Sequence, residues 1–259
     1  TIPNFGHETL PAHLIDAEVK LHGACATLYN QRRQIYGIQL YVPAAEHILV
    51  TRPAPEDPFS LPVQAIQQLL QFSPGADPIH RIKVEGTVTL QRWSQNFFLQ
   101  DATGGLYVEA ENVPSLNPGD RVAVAGFPAL GEYTPILQEA IVRRVGSGVP
   151  PVPAKVFAEE ALSDNLTNKI YDAALVQMTA RFLEEYETFD DRVLVCQEGQ
   201  YVFNAHLELA ESKAKSVTLK KSSLVQLTGV CSVQVDANRH PRAFRLLLRS
   251  TKDLVVLRQ

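Results

Sequence analysis

A chain of 259 residues is long enough for two to three small domains, each with its own core. An apolar fraction of 45% and a mean hydropathy of -0.07 exclude disorder, and no apolar run approaches the roughly 18 residues of a membrane-spanning helix. A formal charge of -4 and a pI near 6.0 give no attraction for a polyanion, so composition argues against nucleic acid.

Three cysteines, Cys25, Cys196 and Cys231, are too scattered for a disulfide framework. The only methionine is Met178, and there is no charged-then-apolar leader. The chain therefore reads as an excised or processed piece of a longer protein.

The first predicted element is the strand Val19-Lys-Leu-His-Gly23-Ala-Cys25, followed by Ile38-Gln-Leu-Tyr-Val and Ile48-Leu-Val. These supply only the fourth and fifth strands of a barrel, so residues 1–60 are expected to be a partial unit with a linker. Missing strands leave open edges that act as templates for association. This remnant is expected to pack on the next unit, to self-associate or pair with another chain, or to be poorly ordered.

Residues 62–70 follow, with Val63, Ile66, Leu69 and Leu70 on one helical face, Pro62 at the start and Pro74-Gly75 beyond the end. An amphipathic helix is predicted, closing one end of a barrel. Four strands come next: Ile82-Lys-Val-Glu-Gly86-Thr-Val-Thr-Leu, Phe97-Phe-Leu-Gln100, Leu106-Tyr-Val-Glu-Ala110 and Val122-Ala-Val-Ala-Gly126-Phe-Pro128. The turns between them are Asp101-Ala-Thr-Gly104-Gly105 and Asn117-Pro-Gly119-Asp120.

After a proline-rich linker at 149–153 the pattern repeats. A short helix is predicted at 156–162, then strands at Leu175-Val-Gln-Met-Thr-Ala180-Arg-Phe, Leu194-Val-Cys-Gln197, Tyr201-Val-Phe-Asn-Ala205, Val225-Gln-Leu-Thr-Gly229-Val-Cys231, Phe244-Arg-Leu-Leu-Leu and Leu254-Val-Val. Gly23, Gly126 and Gly229 recur at intervals of 103 residues, and Ile48 and Leu254 each follow their glycine by 25. The predicted fold is all-β: tandem five-stranded OB-type barrels with short capping helices, complete at 61–148 and 149–259 and incomplete at the N-terminus.

Alternation assigns faces. Val84, Val88, Phe97, Leu99, Leu106, Val108, Val122 and Val124 point inward, and Phe98, Gln100, Tyr107 and Glu109 outward. The outer face of strands two and three is where OB folds commonly hold ligands. Trp93, Phe98, Gln100 and Tyr107 are thus the candidate ligand- or interface-binding residues. They form either a stacking platform for single-stranded bases or the apolar surface on which the next barrel packs.

The third unit turns Val195, Gln197, Val202 and Asn204 outward, with no aromatic there, and its 181–192 loop carries five acids against two arginines. A continuous nucleic-acid track is not expected. That loop reads as a solvated hairpin tip, with calcium as the sharper alternative. Lys213, Lys215, Lys220 and Lys221 read as a solvated basic run. Parity turns Cys25, Cys196 and Cys231 inward as small buried hydrophobes. Seven histidines show no zinc spacing, and no nucleophile, phosphate-loop or dinucleotide motif is present, so no enzyme, metal site or cofactor is expected.

Phe97-Phe-Leu-Gln-Asp-Ala-Thr-Gly-Gly-Leu-Tyr-Val, Pro118-Gly-Asp-Arg-Val-Ala-Val-Ala-Gly-Phe-Pro and Gly229-Val-Cys with Phe244-Arg-Leu-Leu-Leu-Arg-Ser resemble the tandem OB-type repeats of extracytoplasmic sensory regions in bacterial membrane receptors, of the sensor histidine kinase or diguanylate cyclase type. The resemblance implies a non-catalytic periplasmic sensor region that binds a small molecule or protein partner, with membrane contact only through parts outside this chain. A single-stranded nucleic-acid-binding protein and a structural spacer are the alternatives.

Overall fold

Period-two alternation of apolar and polar residues makes strands along most of the computed structural model, which describes residues 11–71, 80–92, 95–163, 170–210 and 218–259. The backbone divides into two units, Thr1–Ser60 and Leu61–Gln259. No described helix is long and apolar enough to cross a membrane.

The N-terminal unit consists of β1 (Glu18–Leu21), β2 (Ala24–Tyr29), β3 (Ile35–Tyr41) and β4 (Ile48–Arg52). Antiparallel pairing joins β1 to β4 and β2 to β3. A Cβ on Gly23, between β1 and β2, would lie 2.3 Å from the Tyr41 carbonyl oxygen, so this close approach requires glycine. Among the described apolar side chains of this unit only Val42 is buried. Cys25 is exposed, which corrects the expectation of a buried thiol. Its parity is inward, but no described strand covers that face.

The second unit begins with residues 61–71. The expected amphipathic helix is instead a short 3-10 segment at Ile66–Gln71, while Val63 forms a parallel bridge with Lys83. The reason lies in the neighbouring hairpin. Asp101 Oδ2 accepts the Ile66 amide at 2.9 Å and Thr103 Oγ1 accepts that of Gln67 at 3.0 Å. Tight 3-10 geometry aligns Ile66 with Leu69, and both enter the barrel core.

That barrel is β5 (Ile82–Arg92), β6 (Asn96–Gln100), β7 (Gly105–Glu109), β8 (Asp120–Ala129) and β9 (Ile136–Ser147), closed in the order β5-β6-β7-β9-β8. All pairings are antiparallel except β7 with β9. Closure through a parallel contact between strands three and five is the OB arrangement. Val84, Val88, Phe97, Leu99, Leu106, Val108, Val122 and Val124 form its core, as alternation requires.

The second barrel adds β10 (Ala154–Lys155) and the one-turn helix α1 (Ala158–Ala161). Its strands are β11 (Leu175–Glu187), β12 (Asp191–Glu198), β13 (Tyr201–Glu208), β14 (Leu224–Val235), β15 (Pro241–Leu247) and β16 (Leu254–Arg258). They follow the order β10-β11-β12-β13-β15-β14-β16, and β11 closes onto β14. Met178, Leu194, Cys196, Cys231 and the stacked pair Phe203 and Phe244, 4.8 Å apart, fill the interior. The chain is therefore all-β, built on tandem OB-type barrels.

One detail departs from simple alternation in both barrels. A bulge lies between Val88 and Leu90 and another between Phe182 and Glu184. A bulge shifts parity by one residue. Beyond it Leu90 stands opposite Phe98 and shares its outward face.

Candidate binding cleft between the barrels

The outward face of β6 and β7 meets the second barrel. Phe98, only 7% exposed, packs with Leu90, Ala173, Leu175, Val230 and Leu247 in an apolar seam. Gln100 accepts the Leu175 amide through Oε1 at 2.9 Å. Gly105 lies so close that an added Cβ would stand 2.2 Å from the Ala173 carbonyl. Tyr107 sits at the seam's edge, half-buried, its ring centroid 4.9 Å from that of Phe98. Trp93 lies outside the described residues. Of the four candidates, Phe98, Gln100 and Tyr107 thus meet at one place, and Phe98 and Gln100 are committed to the neighbouring barrel.

Beside the seam opens a cleft of about 480 Å³. Its floor is Phe98, Tyr107, Ala173 and Leu247. Its walls are the 130–134 connection between β8 and β9 on one barrel, and Asp191, His206, Ser232 and Arg245 on the other. The size falls in the range of about 300–1,000 Å³ usual for small-ligand sites.

Polar groups at this border are held across the barrels. Arg92 Nη2 donates to Asp191 Oδ1, and Arg92 Nε donates to Glu208 Oε1 at 3.2 Å. His206 Nδ1 stands 3.0 Å from the other Asp191 oxygen. Burial pushes the His206 pKa down against the opposing pull of Asp191, and Arg245 and Arg92 add to the fall. On the far side Thr134 Oγ1 donates to Asp172 Oδ2 at 2.5 Å, and the Val233 amide donates to Oδ1 at 2.8 Å. Burial raises the Asp172 pKa, opposed by these bonds.

Arg245 is different. Among the described residues its side chain makes one hydrogen bond, from Nε to Ser232 Oγ at 3.4 Å, and no ion pair. Its charge is felt by Tyr107, whose pKa is raised by burial and by Glu109 and lowered by Arg245. The cleft is thus lined by a guanidinium without an ion pair among the described residues and by an aromatic ring. Glu109, whose Oε2 accepts from Gln138 at 3.0 Å, and Glu132 line the cleft from the first barrel.

Arg92, His206 and Arg245 are absent from the sequence-derived candidates, and Asp191 enters there only as one of the five acids of the 181–192 loop. They lie on four different strands, and only outward parity marks them. His206 shares the parity of Val202 and Asn204, and Arg245 alternates with the inward Phe244 and Leu246. The 181–192 segment is also more than a solvated loop, since it forms the ends of β11 and β12. There Arg192 Nη2 donates to Glu185 at 2.5 Å and Asp191 reaches Arg92. Lys220 and Lys221 are exposed, and Lys213 and Lys215 lie outside the described residues. Among the described residues no group of three or more His, Cys, Asp and Glu side chains could hold a metal ion.

No known family and no curated protein matches the sequence. The chain is distantly similar to several solved structures. A murine DNA-binding protein with double-stranded DNA is 10% identical, with a TM-score of 0.33, covering 64% of this chain and 90% of that one. Fission yeast Pot1 with single-stranded DNA is 9% identical, with a TM-score of 0.34, covering 76% and 88%. A replication protein A heterotrimer bound to single-stranded DNA is 11% identical, with a TM-score of 0.30, covering 63% and 46%.

Proposed function

We propose that this chain is a non-catalytic binding module whose ligand enters the cleft between the two complete barrels. The observation that carries the reading is Arg245, whose guanidinium makes no ion pair among the described residues and which lines, with the half-buried Tyr107, a cavity of about 480 Å³. A guanidinium grips carboxylate-like groups through two parallel hydrogen bonds, and an aromatic face packs a flat or apolar body.

The remaining charges refine the ligand class. Glu109, Glu132, Asp172 and Asp191 line the cleft against Arg92 and Arg245. Acids outnumber cations, which suits a small zwitterion, with its carboxylate on Arg245 and its cation towards Glu109 and Glu132. A calorimetric screen of free amino acids and short carboxylates tests this. Binding that falls at least about tenfold in Arg245→Ala, the equivalent of 1.4 kcal/mol, is the expected result. Ligands bound equally well by that variant would sink it.

The second reading is single-stranded nucleic acid, and the observation that favours it is Tyr107. It lies on the outer face of β6 and β7 with part of its ring accessible, where a base would stack for about 1–3 kcal/mol. A labelled oligonucleotide titrated at low salt separates the readings. Binding that weakens steeply with salt and is lost in Tyr107→Ala selects nucleic acid. Placement of the module in the periplasmic part of a membrane receptor rests on the sequence resemblance, and a full-length reading frame without a transmembrane helix would remove it.

A further inference from the structure

The N-terminal unit reproduces one half of the second barrel pair by pair. Glu18↔Arg52, Val19↔Val50 and Leu21↔Ile48 correspond to Leu224↔Arg258, Val225↔Val256 and Leu227↔Leu254. Ala24↔Tyr41 and Thr27↔Ile38 correspond to Val230↔Leu247 and Val233↔Phe244. The irregularities coincide as well, at Glu18/Val19 with Leu224/Val225 and at Leu28/Tyr29 with Gln234/Val235. Even the connecting turns agree: Asn30 Oδ1 accepts two amides as Asp236 Oδ1 does, and Arg33 and Arg239 have φ of 58° and 66°.

What differs is the cover. In the barrel, β11 runs antiparallel to β14 from Leu175↔Val230 to Arg181↔Leu224, and β11–β13 bury the inner face. Leu227 is 0% and Phe244 3% exposed; their counterparts Leu21 and Ile38 are 42% and 76% exposed. Buried Cys231 likewise corresponds to exposed Cys25. The side chains on the open face are those of a barrel interior, at interior positions.

We propose that the N-terminal unit is the acceptor half of a split barrel. Its occupant is a three-stranded β-meander built like β11–β13, with its first strand antiparallel to residues 18–24. The register repeat specifies this occupant: a single added strand would cover the edge but leave Ile38 and Cys25 in water. Strand addition supplies main-chain hydrogen bonds, and the inward apolar residues supply selectivity.

The probe is the chain's own meander, residues 170–210 with Cys196→Ala, added to the full chain carrying Cys196→Ala and Cys231→Ala so that Cys25 is the only thiol. In the complete barrel the Cys231 amide donates to the Ala174 carbonyl at 2.9 Å. Ala174→Cys in the probe is therefore expected to form a disulfide with Cys25, whereas Arg181→Cys, which would face Glu18, is not. Equal trapping at both positions, or at neither, overturns the proposal. So does a Cys25–Cys25 dimer that the meander fails to displace, which would place a second copy on this face. Because the meander can misfold alone, it is also fused to Thr1 through a flexible linker. Amide exchange over residues 18–24 should then slow by about tenfold or more, and unchanged exchange overturns the idea.

Discussion

Phe98 illustrates how one outward residue decides the architecture around it. Its parity sends it away from its own barrel, and a large apolar ring on that face needs cover. Ala173, Leu175, Val230 and Leu247 supply it. Phe98→Ala should cost about 3–5 kcal/mol in urea unfolding, in the range for a buried aromatic truncated in a well-packed site. Gly105→Ala tests the same seam by crowding: its Cβ would meet the Ala173 backbone at 2.2 Å, and a loss of about 1–3 kcal/mol is expected. His206 gives the seam a pH dependence. Its folded pKa is lowered, chiefly by burial, so the unfolded chain binds its proton first as pH falls. Its contribution is present above the unfolded value of about 6.5 and is lost as pH drops below it. Stability measured from pH 7.5 to 5 should decline less in His206→Gln than in the parent, and an identical decline would refute the assignment.

At the scale of elements, the hairpin from β6 to β7 locks the barrel's opening segment. Asp101 Oδ1 accepts the amides of Thr103 and Gly104 at 2.7 and 2.9 Å, and Oδ2 accepts that of Ile66. One carboxylate thus ties a turn to the 3-10 segment that closes the core. Asp101→Ala leaves these donors without their acceptor and should cost about 1–3 kcal/mol by chemical denaturation. Asp101→Asn, which keeps one carbonyl acceptor, should cost less. The Asp-Ala-Thr-Gly-Gly run announced this turn from local chemistry. Nothing local announced that only residues 66–71 would turn, and those as a short 3-10 segment, because helical spacing of Val63, Ile66 and Leu69 is also satisfied when Val63 bridges to a strand and the other two fill a barrel mouth.

Across the molecule, the two complete barrels share buried apolar surface and the Arg92, Asp191 and His206 network, so they should unfold in a single transition. Two resolved calorimetric transitions within residues 61–259 would contradict this. The N-terminal unit should behave otherwise. Hydrogen exchange over residues 18–21 is expected to be faster than over their register counterparts 224–227, which are paired on both sides.

Strand positions, repeat spacing and inward residues could all be read in advance, because alternation, turn chemistry and a glycine demanded by close backbone approach are local requirements. Gly23, Gly126 and Gly229 alone align the three units. The fate of outward residues could not be read that way. Phe98 and Tyr107 have the same parity and chemistry, yet one is sealed in the seam and the other borders a cleft. Cys25 and Cys231 occupy equivalent positions, yet one is exposed and the other buried. Parity says only that a side chain leaves the strand on a given face. What it meets there depends on residues far along the chain, such as Asp191, 99 positions from Arg92, and these are brought together only when the barrels close and pack.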